Sequence, residues 1–173
     1  FIPVTGAACI PDTPPQTGRV LDIVDGDTIV VVLDQDGKAY SVRYIWVDAP
    51  ENTGKIEPFG PEAAEINREL AYGNNVSLIK DVSETDGLGR LLRYVYLEDG
   101  TFVNAELVRL GWARATPYPP DVRYQELFAA LEREAREAEA ALTTALTRDP
   151  ENAWTHANHG WALLHRGDHE GAF

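Results

Sequence analysis

Methionine is absent from the 173-residue chain, and cysteine occurs once, at Cys9. One thiol closes no internal disulfide. Without methionine, residue 1 is not an initiator, and the N-terminus is expected to be processed or truncated. No apolar run approaches the roughly 20 residues that a membrane-spanning helix needs. Basic charge is scarce as well: 15 Lys and Arg face 28 Asp and Glu, a formal net charge of −13. Proteins that hold nucleic acid by bulk electrostatics present a basic footprint, so that mode is excluded. A site that binds cations and uses a few placed arginines is not. What is present is a globular composition, 44% hydrophobic and 25% charged, in a chain long enough for one cored domain and a fragment of a second.

Residues 1–16 read as a tail. Gly6-Ala7-Ala8 ahead of Cys9 resembles the end of an export signal, so an exported, periplasmic or secreted, or envelope-anchored protein is expected, with Cys9 a candidate lipid-attachment residue. The first strand-like runs are RVLDIV (19–24) and TIVVVLD (28–34). They flank Asp25-Gly26-Asp27, which reads as a hairpin turn. A second tight turn at 35–38 leads into AYSVRYIWVD (39–48), predicted as one continuous strand. PEAAEINRELAYG (61–73) has a proline start, early acids and a glycine stop, which are helix signals, with Ala64, Ile66 and Leu70 as its apolar side. Two more strands follow at 76–82 and 91–99, a short helix at 101–111, and a long helix from about Val122 to Leu146. A three-strand meander, a helix and two further strands predict an α+β, mainly β fold: a small five-stranded Greek-key barrel of the oligonucleotide/oligosaccharide-binding (OB) type, with three helices packed on it.

The carboxylates are more numerous than the turns require. Asp27 closes one strand turn, while Asp48 and Glu51 follow the end of the third strand, and in a curled meander those ends meet. Two Asp carboxylates with a backbone carbonyl make an open site for a hard divalent cation, leaving positions for water and a substrate phosphate. Glu51, just beyond, is placed to deprotonate a water. Arg43 lies on the third strand and Arg90 directly follows TDGLG. Guanidinium groups fork onto phosphate oxygens and stay charged, which suits the charge that builds on a phosphorus under attack. Trp46, Tyr94, Tyr96 and Trp112 read as packing residues.

VDGDT, VRYIWVDAPE, FGPEAAE, DGLGR and VNAELVRLGWA occur in this order and resemble the staphylococcal nuclease (thermonuclease) family over about residues 17–142. The resemblance implies the same barrel with three helices, and Ca²⁺-dependent hydrolysis of DNA and RNA that leaves 3′-phosphates. It implies Asp27 and Asp48 as calcium carboxylates, Ala49 as a carbonyl ligand, Glu51 as general base, and Arg43 and Arg90 as phosphate-binding arginines. Asp25 is implied near the metal but outside its direct ligands, and Thr28 as a hydroxyl near a metal-bound water. Lys55 is the one base in the loop ENTGKIEPFG, and Tyr118 does not align cleanly with the family's base-flanking tyrosines; both are carried as candidate substrate contacts. Leu88 stands where some members have a tyrosine.

Residues 143–173, sharing the long helix before them, resemble an incomplete tetratricopeptide repeat, with Gly160, Leu163, Gly167-Asp168 and Ala172 in place. That resemblance implies a protein or peptide partner. His156, His159, His165 and His169 all fall in this segment and read as a polar face of the repeat. The competing expectation for the whole chain is a non-catalytic OB barrel kept as a scaffold, with the repeat recruiting a partner. Such a scaffold is expected to have lost the charged positions, and this chain carries all of them.

Overall fold

The computed structural model describes residues 14–148. The tail with Cys9, except for its last residues, and the repeat-like segment from 149 onward lie outside the described residues. Five strands close a barrel: β1 (Gln16–Ile23), β2 (Thr28–Leu33), β3 (Ala39–Tyr44), β5 (Asn75–Ile79) and β6 (Leu91–Leu97), in the order β1-β2-β3-β6-β5. β1 pairs antiparallel with both β2 and β5, and β6 antiparallel with β5. The ring shuts through a parallel pairing of β3 with β6, with Arg43 opposite Leu92. Three helices pack on it: α1 (Gly60–Ala71), α2 (Val103–Leu110) and α3 (Gln125–Arg148). This is the five-stranded barrel with three helices that the strand pattern predicts. Among the described residues no helix is long and apolar enough to cross a membrane.

The interior follows from alternation along the strands. Ile29, Val31 and Leu33 of β2 point inward with Val20, Val42, Tyr44, Val76, Leu78 and Val95, all buried. β1 carries an irregularity between Val20 and Asp22, where an extra residue bends the strand as a β-bulge does.

The run 39–48 is not one strand. β3 ends at Tyr44, Trp46 takes a left-handed backbone conformation with φ 68°, and β4 (Val47–Asp48) leaves the barrel to pair with β7 (Arg114–Ala115). Trp46 is held in that unusual conformation from both sides. Its indole Nε1 donates to the Asp121 carbonyl at 2.6 Å, and its ring stacks on Phe128 of α3 at 5.6 Å. The hydrophobic run disguises this corner because its side chains stay buried through the turn. β7, only two residues long, has no pattern of its own to detect.

α1 also differs in its inner face. Ala64 of the expected apolar side is buried, and Ile66 and Leu70 are partly covered against the core, but Ala63, Asn67 and Ala71, outside that expected set, are buried with it. Small residues let the helix axis approach the Asp25–Asp27 connection closely. Asn104 of α2 is fully buried: its side chain accepts from the Val95 N–H at 2.9 Å and donates to the carbonyls of Ile45 and Arg93 at 3.0 and 3.2 Å. One amide thereby ties α2, β6 and the corner after β3 together.

Candidate active site

The connection between β1 and β2 spans four residues, Val24 to Asp27, and two of them are buried acids. Gly26 does not have a positive φ. The tight Asp-Gly turn expected from the sequence therefore gives way to a longer loop, and the glycine answers a different demand. A Cβ at Gly26 would lie 2.5 Å from the Ala49 Cβ and 3.0 Å from the Ala63 Cβ. The loop is wedged between α1 and the segment after β4, with no room for a methyl group. Asn67 of α1 fixes it, donating to the Asp25 carbonyl at 2.9 Å and accepting from the Tyr44 hydroxyl at 2.9 Å. Asp25 in turn accepts from the Asp27 N–H at 3.1 Å.

Asp27 faces Arg43 from the neighbouring strand. β2–β3 pairing sets Thr28 opposite Arg43, and Arg43 Nη2 sits 3.0 Å from Asp27 Oδ2 and 3.6 Å from Asp48 Oδ1. Arg43 Nη1 donates to the carbonyls of Tyr44 and Val47. The chain corner at Trp46 is what folds Asp48 back beside its own strand. Asp27 also accepts from the Ala49 N–H at 3.0 Å through Oδ2 and from the Thr28 hydroxyl at 3.0 Å through Oδ1.

Arg90 approaches from the loop before β6. Its Nε donates to Asp86 Oδ2 at 2.6 Å and its Nη1 to the Thr28 hydroxyl at 3.3 Å. Nη2 has no hydrogen-bond partner among the described residues, so one arm of the fork is available to an oxyanion. Asp86 is a residue of the candidate site that the sequence reading missed. Its Oδ1 accepts the N–H groups of Leu88 and Arg90, both at 2.9 Å. One carboxylate thus builds the turn and aims the arginine. The signal was present, an acid four residues before the arginine in a glycine-rich turn, but it reads first as turn chemistry. Burial acts to raise the Asp86 carboxyl, yet the Arg90 side chain and these N–H groups outweigh it and hold it below the usual carboxylate range.

The structure thus brings Asp25, Asp27, Thr28, Arg43, Asp48, Ala49 and Arg90 together through direct contacts. Glu51 has no hydrogen bond or ion pair to this cluster; it joins it through the wall of a cavity of about 520 Å³ that Asp48, Ala49, Lys55 and Trp112 also line, and that Asp27, Arg43 and Arg90 do not. Lys55 is exposed on that wall. Tyr118 is elsewhere, bridged to Asp121 in the loop before α3, and lines no part of this cavity.

The electrostatics are set by burial. Desolvation pushes the Asp27 carboxyl up to about 7; Arg43 and the Ala49 N–H pull it down, and the nearby Asp25 charge pushes it further up. Burial is the larger effect, so the neutral form of the carboxyl is favoured despite the guanidinium beside it. The donor set suits a hard divalent cation: Asp27 and Asp48 flank one common position, now taken by Arg43 Nη2, and both offer carboxylate oxygens. Among the described residues no group of three or more His, Cys, Asp or Glu side chains forms a closed cage. The two carboxylates are an incomplete set, of the kind that leaves a hard cation positions for other oxygen ligands.

Residues 41–142 match the family model described as staphylococcal nuclease homologue. A thermonuclease of Staphylococcus hyicus is 38% identical over 124 residues, covering 70% of this chain and 72% of that protein. A thermonuclease of Staphylococcus intermedius is 37% identical over 117 residues, covering 66% and 68%. Endonuclease YncB of Bacillus subtilis is 39% identical over 118 residues, covering 65% of this chain and 54% of its own length. The matched segment runs from β3 into α3 and so contains Arg43, Asp48, Ala49, Glu51 and Arg90. With a closed five-stranded barrel, three helices and these matches over most of its length, the chain belongs to the staphylococcal nuclease family.

Proposed function

We propose that the protein is a Ca²⁺-dependent nuclease that hydrolyses phosphodiesters of DNA or RNA by water attack at phosphorus, leaving 3′-phosphate ends. The observation that carries this reading is the convergence of two carboxylates and two guanidinium groups at one rim of the barrel: Asp27 and Asp48 on Arg43, and Thr28 between Asp27 and Arg90. The names of the relatives, thermonuclease and endonuclease, support it.

Asp27, Asp48 and the Ala49 carbonyl would hold the ion, which when bound supplies positive charge and Lewis acidity beside the phosphate. Glu51 takes the proton of the attacking water. Arg90, aimed by Asp86, and Arg43 hold the charge that develops on the non-bridging oxygens, where fixed donors act without reorganising. Thr28 orients Arg90 and Asp27 relative to each other through one hydroxyl. The net charge of −13 means that substrate is held locally by these groups and not by a basic surface. Lys55 and Tyr118 are secondary candidates for contacts along the strand, Lys55 with the better placement. Export through the segment before Cys9, lipid attachment there, and a protein partner for residues 143–173 belong to the same proposal; apart from 143–148, the end of α3, these segments lie outside the described residues.

The test is cleavage of single- and double-stranded DNA and of RNA with Ca²⁺, with Mg²⁺ and with chelator. Cleavage that needs Ca²⁺ and leaves ends that a polymerase cannot extend until a phosphatase removes the 3′-phosphate is the expected result. Wild-type protein that cuts none of these substrates in Ca²⁺ refutes the enzyme reading and favours a scaffold.

A further inference from the structure

The loop from Glu51 to Gly60 carries a second layer of organisation. Glu51 is exposed, at the start of a loop whose next eight residues are exposed or half-buried. A group so placed is ordinarily free to drift, which a base aligned on an attacking water cannot afford. Yet its backbone is gripped from both sides. The Glu57 N–H donates to the Glu51 carbonyl at 2.9 Å, and the Glu51 N–H donates back to the Glu57 carboxylate Oε2 at 3.3 Å. The Gly60 N–H then donates to the Glu57 carbonyl at 3.1 Å.

Gly60 opens α1 and is buried. Its φ is not positive, so its identity is not a matter of backbone freedom. A Cβ there would fall 2.1 Å from the Glu51 carbonyl oxygen, 2.7 Å from its carbonyl carbon and 3.2 Å from the Asn52 nitrogen. These are backbone atoms that no rotamer change can move aside. Any side chain at position 60 therefore displaces Glu51 by about an ångström, by the ordinary limits of non-bonded approach. α1 is itself anchored to the acid loop through Asn67 and the packing of Ala63 on Gly26, so the same helix references Asp27 and Glu51 to one rigid body.

We propose that Glu57 and Gly60 are positioning residues for Glu51: Glu57 clamps its peptide groups, and Gly60 supplies the space that lets the clamped carbonyl rest against the start of α1. This rests on the reading of Glu51 as the base. The clamp acts on kcat. Neither residue is bonded to Arg43, Arg90, Asp27 or Asp48, so any effect on KM is confined to what Lys55, carried by the same loop, contributes.

The experiment is steady-state cleavage of a defined single-stranded oligonucleotide by Glu51→Ala, and by Gly60→Ala, Glu57→Ala and Glu57→Gln, each alone and combined with Glu51→Ala. Gly60→Ala should lose on the order of 100-fold in kcat, as an ångström of misplacement does, with KM near the wild-type value. Glu57→Ala, which removes no buried group and so tests the clamp should Gly60→Ala misfold, should show a smaller loss of the same kind. Glu57→Gln, which keeps an acceptor oxygen, should recover most of it. Neither change should cost anything further in the Glu51→Ala background. Losses that add in full to Glu51→Ala, or Gly60→Ala and Glu57→Ala cutting at the wild-type rate while Glu51→Ala does not, overturn the clamp alone. Glu51→Ala cutting at the wild-type rate overturns the base assignment and the clamp's role with it. Amide hydrogen exchange reads the clamp without reference to activity: Glu51 N–H protection that Glu57→Ala abolishes supports it, and an unprotected Glu51 N–H in the wild type refutes it.

Discussion

Asp27→Asn should inactivate the protein and stabilise it at once, and the second effect should depend on pH in one direction only. In the metal-free fold the Asp27 carboxyl is raised from 3.8 to about 7, first by burial and then by Asp25. A raised carboxyl binds its proton more tightly folded than unfolded. Below about pH 4 both states are protonated and no penalty arises; as pH climbs toward 7 the unfolded state releases the proton first, and folding loses stability. A shift of this size corresponds to a ceiling of about 4 kcal/mol above pH 7. Asn is nearly isosteric: its one oxygen can still accept from the Ala49 N–H, and its NH2 then faces the Thr28 hydroxyl, which turns to accept, but it gives up the charged 3.0 Å pairing with Arg43. A net gain of about 2 kcal/mol at pH 8, shrinking to under about 1 kcal/mol at pH 4, is the expected outcome. Urea denaturation of both proteins in chelator, at pH 4, 6 and 8, measures it. If Asp27→Asn is less stable than the wild type at pH 8 and the gap closes in acid, the Arg43–Asp27 pair dominates and the reasoning fails. Added Ca²⁺ should raise the midpoint of the wild type and leave that of the variant where it is, since only the wild type would bind it.

Three further outcomes follow from particular contacts. Gly26→Ala should cost about 2 kcal/mol and most of the activity by pushing on Ala49, and Ala49→Gly in the same chain should restore part of both, measured by urea midpoint and cleavage rate. Asp86→Ala should lower kcat/KM through loss of Arg90's alignment, with the fold retained by circular dichroism, and Arg90→Lys should not compensate because an ammonium cannot fork. Asn104→Ala leaves the Val95 N–H and Ile45 carbonyl without partners in the core, and thermal or urea unfolding should show a loss of about 3 kcal/mol.

Much of the barrel was legible because alternation and turn residues mark it: β1, β2, β5 and β6 lie within a few residues of where the pattern places them. The run ending at Asp48 was not, because Ile45 and Trp46 remain buried while the backbone turns, and hydropathy does not distinguish a buried strand from a buried corner. The acids and arginines of the site were legible as residue types in order. Their mutual geometry was not, since Asp27 meets Arg43 through strand register and Arg90 meets Thr28 across the barrel. Residues that aim others escaped notice for a common reason: Asp86, Asn67 and Glu57 look, in a string of letters, like turn, helix-surface and loop residues. The resemblance to a family helped only where a motif letter matched, and it carried no information on what holds each letter in place.

The parallel pairing of β3 with β6 has a bearing on when the molecule becomes dangerous. It joins segments nearly fifty residues apart in the chain and is the seam that shuts the barrel. Asp27 and Arg43 share a meander that can form locally, but Arg90 reaches Thr28 only once that seam is zipped. Non-local pairings of this kind form late, because the loop entropy must be spent before the contacts return it. A half-folded chain with its meander complete would pair Asp27 with Arg43 but lack both Arg90 and Asp48, whose corner waits on Asp121 and Phe128. Cleavage would then switch on only at the end of folding, and the nascent chain would pass through its surroundings unarmed.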